Sequence, residues 1–239
     1  MKISQDVIVQ EKENIVEKKV SDASQKNLAK LIDTRWLSES TYVLRLERND
    51  FDFLPGQYIT LGIPQNKQTR EYSIYSSDKD PFIEVIIREV EDGFLSLKLK
   101  KIKIGDNLLI DGPFGFFNLN EDEISSHKHL FIATGTGISP FHSFVKSYPE
   151  LNYKLLHGVR YGSEAYEREH YEPSDYILCT SKDTEGDFHG RVTDYLKQNT
   201  VDNDTLVYLC GNSEMVYDIY DILMSQGMAS ENIRTEVYF

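Results

Sequence analysis

Cysteine is nearly missing from this sequence: among 239 residues only Cys179 and Cys210 carry a thiol. An iron–sulfur cluster usually takes four thiolates, so two distant cysteines exclude one here, and they supply no disulfide framework. No run approaches the roughly 18 uncharged apolar residues of a membrane-spanning helix. Met1 to Lys30 alternates charges with short apolar runs and lacks the core of a signal peptide. Positive charge is short as well, with 26 Lys and Arg against 39 Asp and Glu, a formal net charge of −13 at pH 7. Such an acidic surface repels nucleic-acid phosphates. What is present is 40% hydrophobic and 12% aromatic, too apolar for disorder and long enough for one large domain or two modest ones. The expectation is a cytoplasmic protein that engages neither nucleic acid nor membrane.

Two kinds of patterning follow one another. Up to about Ser40 the chain is charged and mixed, with short strand pieces at Val7–Val9 and Ile15–Val16 and a helical turn expected over Lys26 to Ile32. From Thr41 to about Asn120, apolar strands at Thr41–Leu46, Gln57–Leu61, Phe82–Ile87 and Asn107–Ile110 are punctuated by Pro55-Gly56, Pro81, Gly105-Asp106 and Gly112-Pro-Phe-Gly115. Short strands between Gly and Pro signals predict an antiparallel barrel or sandwich. Phe94 to Lys101 reads either as alternating strand through Leu95, Leu97 and Leu99 or as a short helix starting near Gly93 and Ser96. From His129 onward strands at His129–Ala133, Tyr153–His157, Tyr176–Cys179 and Thr205–Cys210 alternate with helices at Ser139–Ser147, Glu164–His170, Arg191–Gln198 and Ser213–Gln226. That alternation predicts a parallel-sheet α/β domain, with the boundary in the polar stretch Asp122 to Lys128. The division is an extension over residues 1–34, a barrel over 35–122 and an α/β domain over 123–239.

Four motifs carry chemistry. Ala133-Thr-Gly-Thr-Gly-Ile-Ser-Pro140 lies at the first strand-to-helix turn of the α/β half, where glycines let phosphate approach the backbone. The third glycine of the ordinary dinucleotide fingerprint is absent, and His157-Gly-Val-Arg160 stands where an acidic residue would follow the second strand. Arg70-Glu-Tyr-Ser73 offers a guanidinium for a pyrophosphate, a ring to stack on a flat heterocycle and a hydroxyl; alone it reads better as an ordinary strand with an exposed Arg and a buried Tyr. Leu209-Cys-Gly-Asn212 ends a strand at the carboxyl edge of the sheet, although a buried cysteine is more often plain core. The tail Thr235-Glu-Val-Tyr-Phe239 is otherwise a last edge strand. No set of side chains is assigned as a metal site.

In their order these motifs resemble the plant-type ferredoxin–NADP reductase family over about residues 35 to 239. Arg70, Tyr72 and Ser73 are similar to its Arg-x-Tyr-Ser flavin motif. Gly93 to Ser96 is similar to its Gly-x-x-Ser phosphate segment, which favours the helix reading there. Gly112 to Gly115, Gly135 to Pro140, and Cys210 to Asn212 complete the series. The resemblance implies a two-domain chain: an antiparallel β-barrel for FAD followed by an α/β parallel-sheet domain for NADP, with NAD possible. It also implies that Arg70 holds the FAD pyrophosphate, Tyr72 stacks on the flavin and Ser73 lies near flavin N5. Ile86 to Arg88 would meet the flavin through backbone, Gly93 and Ser96 would bind phosphate, and Thr136 and Gly137 would face the nicotinamide and its pyrophosphate. Ser73, Cys210 and Glu236 would form the catalytic set. Tyr238 would cover the second flavin face, with Phe239 as the alternative ring. In such proteins the flavin carries the chemistry and the protein positions it.

The implied activity is an FAD-dependent ferredoxin- or flavodoxin–NADP reductase, passing single electrons to a small carrier that must be a separate protein. The alternative is an NADH-linked reductase supplying an oxygenase. A regulatory nucleotide-binding module is disfavoured by Ser73, Cys210 and Glu236 together. Lys182 and Arg191, aided by Arg160, are the candidates for a 2′-phosphate and tilt the reading to NADPH, against the nearby Asp183, Glu185 and Asp187. Lys98, Lys100, Lys101 and Lys103 read either as a carrier dock or as a solvated lysine face; the total charge opposes long-range steering of an acidic carrier.

Overall fold

The computed structural model describes residues 28–64, 68–91 and 93–238. The strand pieces expected at Val7–Val9 and Ile15–Val16 and the ring of Phe239 lie outside these residues. In the first half, β-branched and aromatic runs between turns form six antiparallel strands: β1 (Leu28–Trp36), β2 (Thr41–Glu47), β3 (Tyr58–Gly62), β4 (Thr69–Ser73), β5 (Phe82–Arg88) and β6 (Asn107–Phe114). Their order is β4-β3-β6-β1-β2-β5. The sheet closes on itself where Ile74 bridges Val85 and the Tyr75 N–H donates to the Glu84 carbonyl at 2.7 Å. Closure removes the unpaired edges that a six-stranded sheet would otherwise expose. Leu31, Leu44, Ile59, Val85 and Leu108 are fully buried inside the barrel. Each contributes about 1.5–3 kcal/mol relative to exposure.

Two local expectations change here. Lys26 to Ile32 is not a helical turn over its described part, because residues 28–32 belong to β1. Ala29 and Leu31 point into the barrel while Lys30 and Ile32 face out, and pairing with β2 and β6 outweighs the local helical preference. Residues 28–34, grouped by sequence with the extension, therefore lie in a barrel strand. The ambiguous segment resolves as helix α1 (Ser96–Leu99), with Leu95 and Leu99 buried one turn apart.

Helix α2 (Glu121–Ile124) occupies the polar stretch before the second half. There, β7 (His129–Thr134), α3 (Ser139–Ser147), β8 (Tyr153–Val159), β9 (Tyr176–Thr180), β10 (Phe188–His189), α4 (Val192–Gln198), β11 (Leu206–Asn212), α5 (Ser213–Ser225) and β12 (Ile233–Tyr238) follow in order. All six strands are parallel, in the order β10-β9-β8-β7-β11-β12. The order turns at β7, with β8 on one side and β11 on the other. The crevice beyond the carboxyl ends at such a switch point is where open α/β sheets bind ligands. α5 buries Met215, Val216, Ile219 and Leu223, a helical stripe against the sheet. Its first turn is capped by Asn212, whose side chain accepts from the Met215 N–H at 2.9 Å, worth about 1 kcal/mol.

The helix expected over Glu164–His170 is instead two single 3₁₀ turns, Gly162–Glu164 and Arg168–His170. Between them Glu167 adopts φ 48°, which breaks any continuous helix. Among the described residues, no helix is long and apolar enough to cross a membrane.

The two halves meet along α3. His142 Nδ1, Ser143 Oγ and Ser147 Oγ donate in succession to the Tyr75 carbonyl at 2.8 Å, the Ser76 carbonyl at 2.7 Å and the Ser77 hydroxyl at 3.1 Å. Beside this row, Glu84, almost fully buried in β5, is held by Arg35 and Arg45, and Arg35 also reaches Glu167 at 2.6 Å.

Candidate active site

Three strand ends from both halves bring one network together. Ser73 closes β4, Cys210 lies near the end of β11, and the β11–β12 register sets Glu236 beside Cys210 and Tyr238 beside Asn212. The Tyr238 hydroxyl donates to Ser73 Oγ at 2.7 Å, and Ser73 Oγ donates to Glu236 Oε2 at 3.0 Å. The Cys210 thiol donates to the same oxygen at 3.9 Å. Cys210 is fully buried and Ser73 nearly so. Burial lifts the Glu236 carboxyl to about 7, a rise that Glu71 reinforces and that the Ser73 and Cys210 hydrogen bonds oppose. Burial also pushes the Cys210 thiol and the Tyr238 phenol well above their usual ranges. The result is a chain of neutral donors ending on a carboxyl that titrates near neutrality, a poise suited to moving a proton at physiological pH.

The glycine loop lies against this network. Residues 135–138 make a 3₁₀ turn that runs into α3, with Pro140 in its first turn. A Cβ on Gly137 would come within 2.3 Å of the Cys210 carbonyl, and one on Gly211 within 2.2 Å of Thr134 Oγ1. The loop therefore packs at Gly137 directly on the β11 backbone, an approach that only glycine allows. His157 holds the loop from β8: its Nε2–H donates to the Gly135 carbonyl at 2.9 Å, while the Tyr176 hydroxyl donates to Nδ1 at 2.6 Å. Burial drives this imidazole down to about 4, so it stays neutral. From sequence His157 is visible only as the start of His157-Gly-Val-Arg160, because a histidine in an apolar strand carries no local signal of such a role.

The remaining candidates are spread around this centre. Arg70 is exposed on β4, its Nη1 donating to the Thr69 carbonyl at 2.9 Å. Tyr72 is half-buried against the barrel core, its phenol raised to about 12 by burial. Ile86 is buried on β5, and Arg88 at its end stands 4.0 Å from Glu164 across the seam. A Cβ on Gly135 would lie 3.8 Å from Arg88 Nη1, so Arg88 borders the glycine loop. Gly93 and Ser96 form a tight turn in which Ser96 Oγ accepts from the Val90 N–H at 3.2 Å and the Ser96 carbonyl from the Tyr42 hydroxyl at 2.7 Å. Thr136 is half-buried and Gly137 buried in the loop. The β9–β10 register pairs Thr180 with His189, so Lys182 and Arg191, both exposed, each stand two residues beyond the same sheet edge.

Near that edge the acidic residues are structurally engaged. Asp183 accepts from the Gly162 N–H at 2.7 Å, and Asp187 pairs with Arg168 at 2.6 Å. In the lysine run, Lys98 sits 3.6 Å over the Phe94 ring and Lys100 pairs with Glu89 at 2.8 Å, while Lys101 and Lys103 are exposed.

The guanidinium of Arg70, the half-buried ring of Tyr72 and the hydroxyl of Ser73 on β4 are group types that suit a pyrophosphate joined to a flat heterocycle, and their chemistry fits FAD. The glycine loop at the switch point fits a second dinucleotide. A barrel and an α/β domain sharing one hydrogen-bonded centre define a two-cofactor oxidoreductase.

Comparison with known proteins agrees. Residues 28–119 match the oxidoreductase FAD-binding domain and residues 131–221 the oxidoreductase NAD-binding domain. The toluate 1,2-dioxygenase electron transfer component of Pseudomonas putida is 31% identical over 227 residues, covering 88% of this chain and 67% of that protein. The flavodoxin/ferredoxin–NADP reductase of Buchnera aphidicola is 31% identical over 196 residues, covering 72% of this chain and 76% of that protein. A ferredoxin NADP+ reductase from Neisseria gonorrhoeae, solved with bound FAD and NADP, shares the fold with a TM-score of 0.79 over 89% of this chain and 98% of that one, at 22% identity. The chain belongs to the ferredoxin–NADP reductase family of FAD- and NAD(P)-binding oxidoreductases.

Proposed function

We propose that this protein is a ferredoxin- or flavodoxin–NADP reductase, exchanging hydride with NADP(H) and single electrons with a small carrier protein. The observation that carries the reading is the Tyr238–Ser73–Glu236–Cys210 network, which joins the flavin half to the nucleotide half. Bound FAD supplies the chemistry of two-electron uptake and one-electron release. The chain's own residues position and shield. Arg70 and the turn at Gly93 and Ser96 hold phosphate, and Tyr72 provides a flat wall. Tyr238 covers the other side and keeps water out until it moves. Ser73 Oγ holds a proton next to Glu236 Oε2, and the half-buried Glu236 passes that proton toward solvent. Thr136 and Gly137 receive the nicotinamide end beside Cys210. Lys182 and Arg191, two residues past the same sheet edge, suit a 2′-phosphate and favour NADPH.

A second reading is a reductase that supplies an oxygenase. It is favoured by the 227-residue match to a dioxygenase electron transfer component. One experiment separates the readings. The purified FAD-loaded protein is mixed anaerobically with NADPH or NADH, and the flavin absorbance is followed before and after adding ferredoxin, flavodoxin or an oxygenase ferredoxin. Faster bleaching by NADPH and rapid reoxidation by ferredoxin or flavodoxin support the first reading. Preference for NADH with transfer only to the oxygenase ferredoxin supports the second, and a protein that takes up no flavin defeats both.

A further inference from the structure

At the seam between the two halves, apart from the Ser73 network, three ligand-bearing side chains converge. His142 Nε2 and His170 Nδ1 are 3.3 Å apart, and His170 Nδ1 is 3.7 Å from Glu167 Oε2. All three ligand atoms lie within 4.8 Å of one another. We propose that His142, Glu167 and His170 form a binding site for a divalent transition-metal ion of the zinc class.

The tautomer of His142 is settled by its partner. Nδ1 faces the Tyr75 carbonyl at 2.8 Å, and a carbonyl only accepts, so Nδ1 carries the hydrogen and Nε2 presents its lone pair toward His170. The ring cannot turn away. It is 1% exposed and stacked on Tyr75 with centroids 3.7 Å apart and planes 9° from parallel. A backbone carbonyl behind a ligating imidazole is the usual outer support of a metal-bound histidine.

The spacing also fits. Two ligands each about 2.0–2.1 Å from a tetrahedral zinc lie about 3.3 Å apart. The two imidazole nitrogens already stand at 3.3 Å. Glu167 Oε2 stands 3.7 Å from His170 Nδ1, and the Glu167 and His142 ligand atoms lie within 4.8 Å, so closing the set takes small shifts of the His170 side chain, which is 41% exposed, and of the Glu167 carboxylate. Without metal, the His170 Nδ1–H lies between the rings; with metal, that proton moves to Nε2 of the same ring and Nδ1 becomes a ligand.

Glu167 is shaped for the role. A carboxylate offers about four lone-pair sites. Three face donors from the barrel: Arg35 Nε at 2.6 Å, Arg35 Nη2 at 3.2 Å and the Tyr75 hydroxyl at 2.7 Å. The fourth belongs to Oε1; on Oε2, the oxygen 3.7 Å from His170 Nδ1, a metal would take the place of the long Arg35 Nη2 contact. These donors orient the carboxylate, and they come from the opposite half of the molecule. Glu167 also holds φ 48°, a left-handed conformation that a non-glycine residue keeps only when its surroundings impose it. Two imidazoles and one carboxylate select zinc, copper, nickel or iron rather than magnesium or calcium. Three protein ligands leave a fourth position for water. An ion here would tie α3 to the Glu167–His170 turn, and through Tyr75 and Arg35 to the barrel. None of its ligands belongs to the Ser73 network, so the role is to stiffen the seam.

The test uses the full FAD-loaded protein, cleared of metal with a chelator. Zinc is titrated in competition with a chromophoric zinc indicator, and the zinc-loaded sample is examined by X-ray absorption. The expected result is one tightly held equivalent with two imidazole ligands, a zinc-dependent rise in thermal midpoint, and affinity weakened at least about 100-fold in His170→Ala. His170 is exposed, so that variant keeps its fold, and retained flavin verifies this. A His127→Ala/His189→Ala double variant is expected to bind as the wild type does. Affinity unchanged by His170→Ala, fewer than two imidazoles on the ion, or no tight equivalent in the wild type would each overturn the proposal.

Discussion

Tyr238 donates its hydroxyl hydrogen to Ser73 Oγ at 2.7 Å, so the last strand of the α/β sheet is bonded directly to a barrel strand. Ser73→Ala removes both the acceptor for Tyr238 and the donor to Glu236. The expected outcome is an unchanged FAD content with NADPH-driven bleaching slowed by about 100-fold or more, the usual scale for losing a positioned proton-transfer group. Stopped-flow absorbance reads this, and a wild-type rate would remove Ser73 from the catalytic set.

Glu236 sets a pH dependence. Its carboxyl is raised from 4.5 to about 7, with burial the main cause. Between those values the folded protein binds this proton and the unfolded chain does not. The group's stabilising contribution is therefore full below about pH 4.5 and is lost as pH rises through 7. Glu236→Gln cannot ionise, so its urea midpoint should fall less than that of the wild type as pH is raised across this window. Parallel midpoint curves for the two proteins would contradict the assignment.

In the proposed function Tyr238 covers the flavin from the α/β side. A chain ending at Val237 should show a changed ratio of kcat/KM for NADPH over NADH, because the aromatic ring no longer competes with the nicotinamide. Steady-state kinetics with both nucleotides measures the ratio, and unchanged kinetics would sink the gating role.

Gly137 packs flat on the Cys210 peptide, where a Cβ would lie 2.3 Å from the carbonyl oxygen. Backbone cannot yield as a flexible side chain does, so Gly137→Ala should displace the loop and weaken NADP+ binding while FAD stays bound. Difference spectroscopy with NADP+ reads the affinity directly.

Arg35 serves two carboxylates, Glu84 and Glu167, at the seam. Removing one member of a buried charge cluster costs about 3–5 kcal/mol. Arg45 stays on Glu84 at 2.7 Å, so Arg35→Ala should fall at the low end of that range. Denaturant unfolding of the FAD-loaded protein checks the loss.

The strands and helices with strong periodicity were legible from sequence: β2, β5, β7, β11, α3 and α5 stand within a few residues of where the pattern puts them. β1 was not, because Leu28–Trp36 is a strand through pairing with β2 and β6, partners distant in sequence. The Glu164–His170 segment misled because its helical composition is interrupted by the conformation of one residue, Glu167. At the site, motifs named the residues, but their joining through Glu236 Oε2 depends on the β11–β12 register. Of the proposed metal ligands only Glu167 and His170 are close in sequence, three residues apart, and the fold of the α/β half brings His142 of α3 to them.

The docking of α3 on the barrel has a further consequence for protein engineering. The helix that starts at the glycine loop hydrogen-bonds to Tyr75, Ser76 and Ser77, which begin two residues after Ser73. Chimeras that exchange nucleotide halves between relatives to alter coenzyme use should therefore carry 75–77 and the polar face of α3 as one cassette. A crossover placed only at the polar stretch near residue 125 would separate the His142, Ser143 and Ser147 donors of α3 from the 75–77 segment that accepts from them.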